Sequence, residues 1–239
     1  MQQPITFSPA GNDLFNVSYT KEPTVVNDKM SVEQLEKIHA KEDWNFEAAM
    51  TLSAKYSTQG EYGKACQVRF AAASVAVELL PEDEEFFELE WENEENQEFI
   101  EIIAASGSDF YMHGDFEMAA TLFETALSLD SEDHFVVIPQ LAIAYLAIDD
   151  EDGYEALEMD IDKNSLEGAL IDNFAAYLRK KGSAKPMPTD FVELVRRGET
   201  PDEEFFRLIE EERVPKEAQA KKLYFKHLPL FEAYNDFLK

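Results

Sequence analysis

The chain has 239 residues and a formal net charge of −29, from 50 acidic and 21 basic side chains. This charge argues against nucleic acid and anionic membranes as ligands, because both are bound through clustered lysine and arginine. Hydrophobic residues make up 45% of the chain, which is enough for a sizeable core. Glycine and proline are scarce, and that composition favours helices.

The single cysteine, Cys66, excludes an internal disulfide and a cysteine-based metal site. We expect it to be a small buried residue. The N-terminus lacks the basic and apolar segments of a secretory signal. No uncharged apolar run reaches the length that a membrane span needs. These features predict a soluble, cytoplasmic protein.

The first 30 residues carry no helical periodicity and contain Pro4, Pro9, Gly11 and Pro23. They are predicted to form a loosely structured N-terminal arm. Residues 31–181 then show apolar residues at three- and four-residue spacings, which indicates helical hairpins.

Ser31 and Gln34 form a plausible capping box at the start of this region. The β-branched run "HFVVI" is interpreted as the start of a helix. No segment predicts a sheet, so the expected fold class is all-α. Gly182 and the prolines after it mark a boundary, and residues 182–239 are predicted to be a C-terminal helical extension that Pro229 breaks or kinks.

One segment, "FIEIIAASGSDFYMHGDFEMAATLFETALSLDSED", carries a known repeat pattern. Its large, small and aromatic positions are Ile103, Gly107 and Phe110 on the first helix and Ala119, Phe123 and Ala126 on the second. This unit resembles a tetratricopeptide (TPR) repeat, although Ser106 and Ser131 depart from the pattern. The small residues suit two closely crossing helices, and the aromatic residues fill the space beside them.

Two weaker units flank it, and the resemblance covers roughly residues 44–180. The preceding unit has Tyr56, Gly60, Ala65 and Ala72 at matching positions, and the following unit has Ala142, Tyr145 and Ala156. Ala65 and Ala119 lie about 20 residues further apart than the usual repeat length of about 34. An acidic insert near residues 81–98 accounts for the difference. An irregular helical bundle is the alternative.

The resemblance implies a stack of antiparallel helical hairpins, an α-solenoid, whose concave groove binds a peptide or helix of another protein. The groove positions Glu47, Met50, Ala54, Glu101, Ala104, Ala105 and Ser108 include no basic residue, so a clamp for a C-terminal carboxylate is not expected. Met50, Ala54, Ser108, Tyr111 and Met112 are the predicted partner-binding residues of the groove. They suit a basic or apolar peptide or helix.

No catalytic, cofactor or metal motif is present in the sequence. The four histidines form no HxxxH or HExxH pair, and no nucleophile elbow, P-loop or dinucleotide fingerprint occurs. Asp160, Asp162 and Asn164 match the start of a calcium loop, but Ser165 and Ile171 occupy the positions of its glycine and bidentate glutamate. We expect neither an enzyme nor a cofactor.

The pentapeptide "DEEFF" occurs at residues 83–87 and 202–206, each time shortly after a proline. Both copies are interpreted as helix starts. The first copy lies in the acidic insert, where ten acids and no base occur between Glu82 and Glu98. Phe87 and Trp91 are therefore predicted as additional partner-binding residues.

We expect a non-catalytic scaffold or adaptor that binds another protein, helped by its acidic surface. One alternative is a cytoplasmic TPR-type chaperone for a secreted or aggregation-prone client. A less favoured alternative is an enzyme or regulatory subunit without a recognisable motif. The sequence indicates no oligomeric state.

Overall fold

The computed structural model describes residues 3–11, 13–81, 87–180, 185–200, 207–208 and 214–238. Within these residues the chain is mostly helical, with eleven α-helices, one short 3-10 helix and one three-stranded sheet. The prediction of a helical protein is therefore confirmed, and the prediction that no sheet forms is wrong. Among the helices described, none has both the length and the apolar character that crossing a membrane requires.

The chain divides into two compact units. Unit 1 comprises Met1–Asp109 and Thr121–Val137, and unit 2 comprises Phe110–Ala120 and Ile138–Lys239. The predicted boundary at residue 182 lies outside the described residues.

Unit 1 contains the sheet and most of the first five helices. Its strands are β1 (Ile5–Gly11), β2 (Leu14–Tyr19) and β3 (Glu88–Leu89), and its helices are α1 (Val32–His39), α2 (Phe46–Thr58), α3 (Tyr62–Leu79), α4 (Glu94–Met112) and α5 (Phe116–Leu129). The end of α4 and the start of α5 belong to unit 2.

The predicted loose arm contains a β-hairpin. Strand β1 pairs antiparallel with β2, so that Ile5 lies opposite Tyr19, and β2 pairs in parallel with β3. Ile5 and Val17 on the hairpin are almost fully buried, as is Leu89 on β3. These apolar side chains hold the segment in the interior of unit 1, and the prediction of a loose arm is therefore wrong for Ile5–Tyr19.

The side chain of Asn96, in the first turn of α4, ties the sheet to that helix. It is fully buried, and its Oδ1 atom accepts a hydrogen bond of 2.6 Å from the backbone N–H of Val17. Its Nδ2 atom donates to the carbonyl oxygens of Phe15 at 3.0 Å and Glu90 at 2.7 Å. These bonds satisfy backbone groups at the meeting point of β2 and β3, where the short ladder ends.

The first helices of unit 1 have the cap, the turn and the buried positions that the sequence predicts. Ser31 and Gln34 form the predicted capping box at the start of α1. Gly60, with a φ of +75°, forms the turn between α2 and α3. Tyr56 and Ala65, at repeat positions on these two helices, are buried in one apolar cluster. The short turn and the shared cluster show that α2 and α3 pack as a helical hairpin.

Gly107 of α4 lies where the sequence predicts a close approach. A Cβ atom at this position would lie 2.8 Å from the ring of Phe123, which is fully buried on α5. Any side chain at residue 107 would therefore force this ring to move. The predicted interior positions Ile103 and Ala126 are also buried.

Unit 2 is helical in its described part. Its helices are α6 (Ile138–Ala147), α7 (Glu151–Leu157), α8 (Leu166–Leu178), α9 (Thr189–Arg197), α10 (Gln219–Lys226) and α11 (Leu228–Ala233), with a 3-10 turn at Lys216–Ala218. Ser165 caps α8 by accepting a hydrogen bond from the N–H of Gly168, and Gly198 ends α9 with a φ of +64°. Residue His227 separates α10 from α11, so Pro229 lies beside the predicted helix break.

Several local predictions require correction. Phe87–Trp91 is not helical, because Glu88 and Leu89 form β3. Of the two "DEEFF" copies, only Phe87 is among the described residues. In "HFVVI" the helix begins only at Ile138, after a tight turn. Ala156 is exposed, while Leu157 beside it is buried, so the third unit departs from the repeat at this position.

Candidate protein-binding site on unit 1

The predicted groove residues differ in their accessibility. Ala54 is exposed on α2, while Met50, Ser108 and Met112 are half-buried. Tyr111 is fully buried, and its hydroxyl lies 2.7 Å from Nδ1 of His227 within unit 2. The prediction of Tyr111 as a partner-binding residue is wrong, because its side chain is committed to the interior.

The two aromatic residues predicted from the acidic insert make contacts within unit 1. The ring of Phe87 packs against Phe7 and Phe15 of the hairpin, with centroid distances of 5.0 and 4.6 Å. The ring of Trp91 stacks on His134 at 3.8 Å. Phe87 therefore helps to cover the sheet, which is a structural role.

Three glutamates on α2 and α4, Glu47, Glu95 and Glu101, interact with Glu98 of α4 through their charge. Glu47 is exposed in the first turn of α2, and Glu95, Glu98 and Glu101 are half-buried on α4. Glu95, Glu98 and Glu101 are spaced three residues apart, so each lies next to the following one along the surface of α4. We refer to Glu47, Glu95, Glu98 and Glu101 as the acidic cluster.

Glu98 is the member of the acidic cluster that its surroundings affect most. Burial raises the pKa of its carboxyl group, and the charges of Glu47, Glu95 and Glu101 raise it further, to about 7. A hydrogen bond from the Tyr19 hydroxyl, at 3.4 Å, opposes this rise without cancelling it. Burial also raises the pKa of Glu101. Around neutral pH, Glu98 is therefore poised between its neutral and ionised forms.

An aromatic pair lies beside Glu98. Tyr19, at the end of β2, packs against Trp44 with a ring-centroid distance of 5.5 Å. Burial raises the pKa of the Tyr19 hydroxyl, and the charge of Glu98 adds to this effect. The Tyr19 hydroxyl is therefore neutral and donates a hydrogen bond to the Glu98 carboxylate. Half-buried Tyr19, backed by the buried Trp44, thus places an aromatic ring beside the acidic cluster.

The charged groups that contribute most to the raised pKa of Glu98 are the carboxylates of Glu47, Glu95 and Glu101. The sequence has no lysine or arginine from Phe70 to Asp162, although 27 acidic residues occur there. Like charges in a half-buried site repel one another, and a positive charge placed beside them would relieve that repulsion. The cluster is therefore suited electrostatically to a cationic group.

The described part of the chain contains no group of three or more histidine, cysteine or acidic side chains arranged to hold a metal ion. In the segment that resembles a calcium loop, Oδ1 of Asp162 accepts a hydrogen bond from the N–H of Asn164. Cys66 is half-buried rather than buried, and burial raises the pKa of its thiol.

Sequence reasoning placed Glu47 and Glu101 in the groove but missed Tyr19, Glu95 and Glu98. The spacing of the acids on α4 was a usable signal for Glu95 and Glu98. Nothing in the sequence connects Tyr19 with Glu98, which lies 79 residues further along the chain.

Comparison with known proteins assigns no family, since neither the models of protein families nor the curated proteins contain a match for this chain.

Proposed function

We propose that the protein is a non-catalytic, TPR-like protein-binding module, acting as a scaffold or adaptor. It binds a basic, amphipathic segment of a partner protein across the acidic cluster of unit 1. The single cysteine is consistent with a reducing compartment, and we propose that the protein acts in the cytoplasm.

The observation that carries this proposal is the half-buried Glu98, whose charged neighbours are acidic. A protein that used these glutamates only for solubility would expose them to water, where like charges are screened. Keeping Glu98 half-buried among like charges costs stability, and the cost is relieved when a cation is bound.

The hairpin of α2 and α3 and the close contact of Gly107 with Phe123 support the repeat-like architecture. In such architectures the first helix of each hairpin faces the partner. Glu47, Met50 and Ala54 lie on α2, and Glu98, Glu101 and Ser108 lie on α4. These positions combine apolar side chains on α2 with acidic side chains on both helices, which suits a segment with apolar and basic residues.

A labelled amphipathic helical peptide of leucine and lysine tests the proposal. We expect the double substitution Glu98→Gln/Glu101→Gln to weaken binding about tenfold, because two negative charges that face the lysines are lost. Fluorescence anisotropy measures the dissociation constant. The matched control Glu78→Gln/Glu124→Gln changes the net charge equally, but at exposed residues of α3 and α5.

The control pair is expected to change the affinity by no more than about twofold. Binding of the wild-type chain is also expected to weaken in about 1 M salt, where screening acts over roughly 3 Å. Equal losses in both double variants would show that the peptide responds only to net charge and would contradict the proposal. A peptide of leucine and glutamate serves as the negative control.

A further inference from the structure

The turn between α5 and α6 is held by hydrogen bonds to two of its own acidic residues and to one of β3. The Asp130 carboxylate accepts hydrogen bonds of 2.8 Å from the backbone N–H and from Nδ1 of His134. The Asp133 carboxylate accepts from the N–H of Val137 at 2.7 Å. Glu88 of β3 accepts from the N–H and the hydroxyl of Ser131. Hydrogen bonds within the turn and from β3 thus order it without a partner.

Val136 occupies an unfavourable backbone conformation in this turn. Its φ is +53°, in the left-handed region that a β-branched side chain rarely adopts. Its side chain is also 55% exposed, so the residue gains little from burial. Glycine would form the same turn without this strain. The stability of the turn therefore does not explain why an apolar side chain is presented there.

An ordered aromatic platform lies next to Val136. The Trp91 and His134 rings stack with an interplanar angle of 4°, and Phe135 packs edge-on against Trp91 at 5.5 Å. Rings that are already fixed lose little conformational entropy when a partner binds. We refer to Trp91, His134, Phe135 and Val136 as the loop surface.

The charges around the loop surface are acidic. Glu88, Glu90 and Glu92 flank Trp91 in the sequence, and Asp130, Glu132 and Asp133 precede Phe135. The Glu132 side chain is 80% exposed. A partner that contacts these residues gains from positive charge, whereas nucleic acid and anionic membranes would be repelled.

We propose that the loop surface is a second docking site of this protein, which receives an apolar side chain of a partner protein flanked by lysine or arginine. The proposal goes beyond the function proposed above, because none of its residues belongs to the acidic cluster. Val136 and the aromatic platform contact the apolar side chain, and the surrounding carboxylates contact its basic neighbours.

A labelled lysine-rich peptide with a single central phenylalanine tests this proposal. We expect Trp91→Ala and Val136→Gly each to weaken its binding about tenfold. Val136→Gly removes the backbone strain, so its melting temperature should stay close to that of the wild-type chain. Lost affinity in this variant therefore cannot result from unfolding. Met159→Ser, at an apolar residue of unit 2 that is 93% exposed, is the control and should leave the affinity unchanged.

A second peptide, with serine in place of the phenylalanine, separates the apolar contact from the charge. It should bind the wild-type chain, Trp91→Ala and Val136→Gly with the same low affinity. The proposal is overturned if the wild-type chain does not distinguish the two peptides, or if both loop-surface variants bind the phenylalanine peptide like the wild type. The proposal is also overturned if only Glu98→Gln loses affinity for the phenylalanine peptide. That result would place binding at the acidic cluster and would agree with the function proposed for it.

Discussion

His227→Ala is expected to lower the free energy of unfolding by about 4 kcal/mol, the largest effect of any substitution considered. His227 is fully buried in unit 2, with Nδ1 2.7 Å from the Tyr111 hydroxyl and Nε2 2.6 Å from the Glu167 carboxylate. The tyrosine donates to Nδ1 and the Nε2–H group donates to the carboxylate, so the imidazole is neutral. Alanine leaves a cavity and removes the partner of a buried hydroxyl.

The same network predicts how stability depends on pH. Burial lowers the pKa of His227 and outweighs the opposing effect of Glu167, so the folded protein takes up this proton less readily than the unfolded chain. The stabilising contribution is therefore complete above the unfolded pKa of about 6.5 and is lost progressively as the pH falls below that value. His227→Gln should remove this part of the decline, which urea denaturation at a series of pH values can measure.

His113→Ala is the control for the histidine substitutions, because this residue is exposed in the turn between α4 and α5. It should change stability by less than about 0.5 kcal/mol. The account of His227 fails if His227→Ala and His113→Ala have the same stability, or if the pH dependence of His227→Gln matches that of the wild type.

Asp109→Ala is expected to cost about 3 kcal/mol, because it leaves the Arg69 guanidinium group without its carboxylate. The two side chains are only 16% and 17% exposed, and both contacts between them measure 2.6 Å. Arg69 also donates to Oγ of Ser53 at 3.0 Å, so the pair links α2, α3 and α4. Removal of one partner leaves a charge in a site that water barely reaches.

The double substitution Arg69→Met/Asp109→Leu should regain most of this loss, because it removes both charges and keeps the apolar volume. Urea denaturation of Arg69→Met, Asp109→Leu and the double variant gives the coupling energy between the two side chains. Glu33 and Lys37, an exposed pair on α1, should show a coupling below about 0.5 kcal/mol. A double variant less stable than Asp109→Ala would contradict this interpretation.

Local signals in the sequence were sufficient where the structure depends on neighbouring residues. The capping box of Ser31 and Gln34 and the helix break next to Pro229 each involve residues within one turn. The close approach at Gly107 was also predictable, because a repeat pattern specifies small residues where helices cross.

The sheet could not be recognised in the same way, because its support comes from distant parts of the chain. Alternating apolar residues in "ITFSPAGNDLFNVSY" were a signal for strands, but Pro9 and Gly11 indicated a loop. The strand β3 and the side chain of Asn96 that complete this sheet lie more than 60 residues further along the chain. Such long-range pairing leaves no local pattern.

The candidate site was predictable only in part, for the same reason. The acidic character of α4 is visible in the sequence, whereas the burial of Glu98 beside Tyr19 depends on the hairpin. Arg69 is the last basic residue before the long acidic stretch, which favours an ion pair but does not identify Asp109 as its partner.

The ionisation of Glu98 tests the central claim most directly. Its carboxyl carbon can be followed by NMR as the pH is raised, first in the free protein and then with saturating leucine–lysine peptide. We predict a pKa of about 7 in the free protein and a clear fall when the peptide supplies positive charge. An ordinary glutamate pKa of about 4.3 in the free protein, or no change on adding the peptide, would contradict a cation-binding site at the acidic cluster.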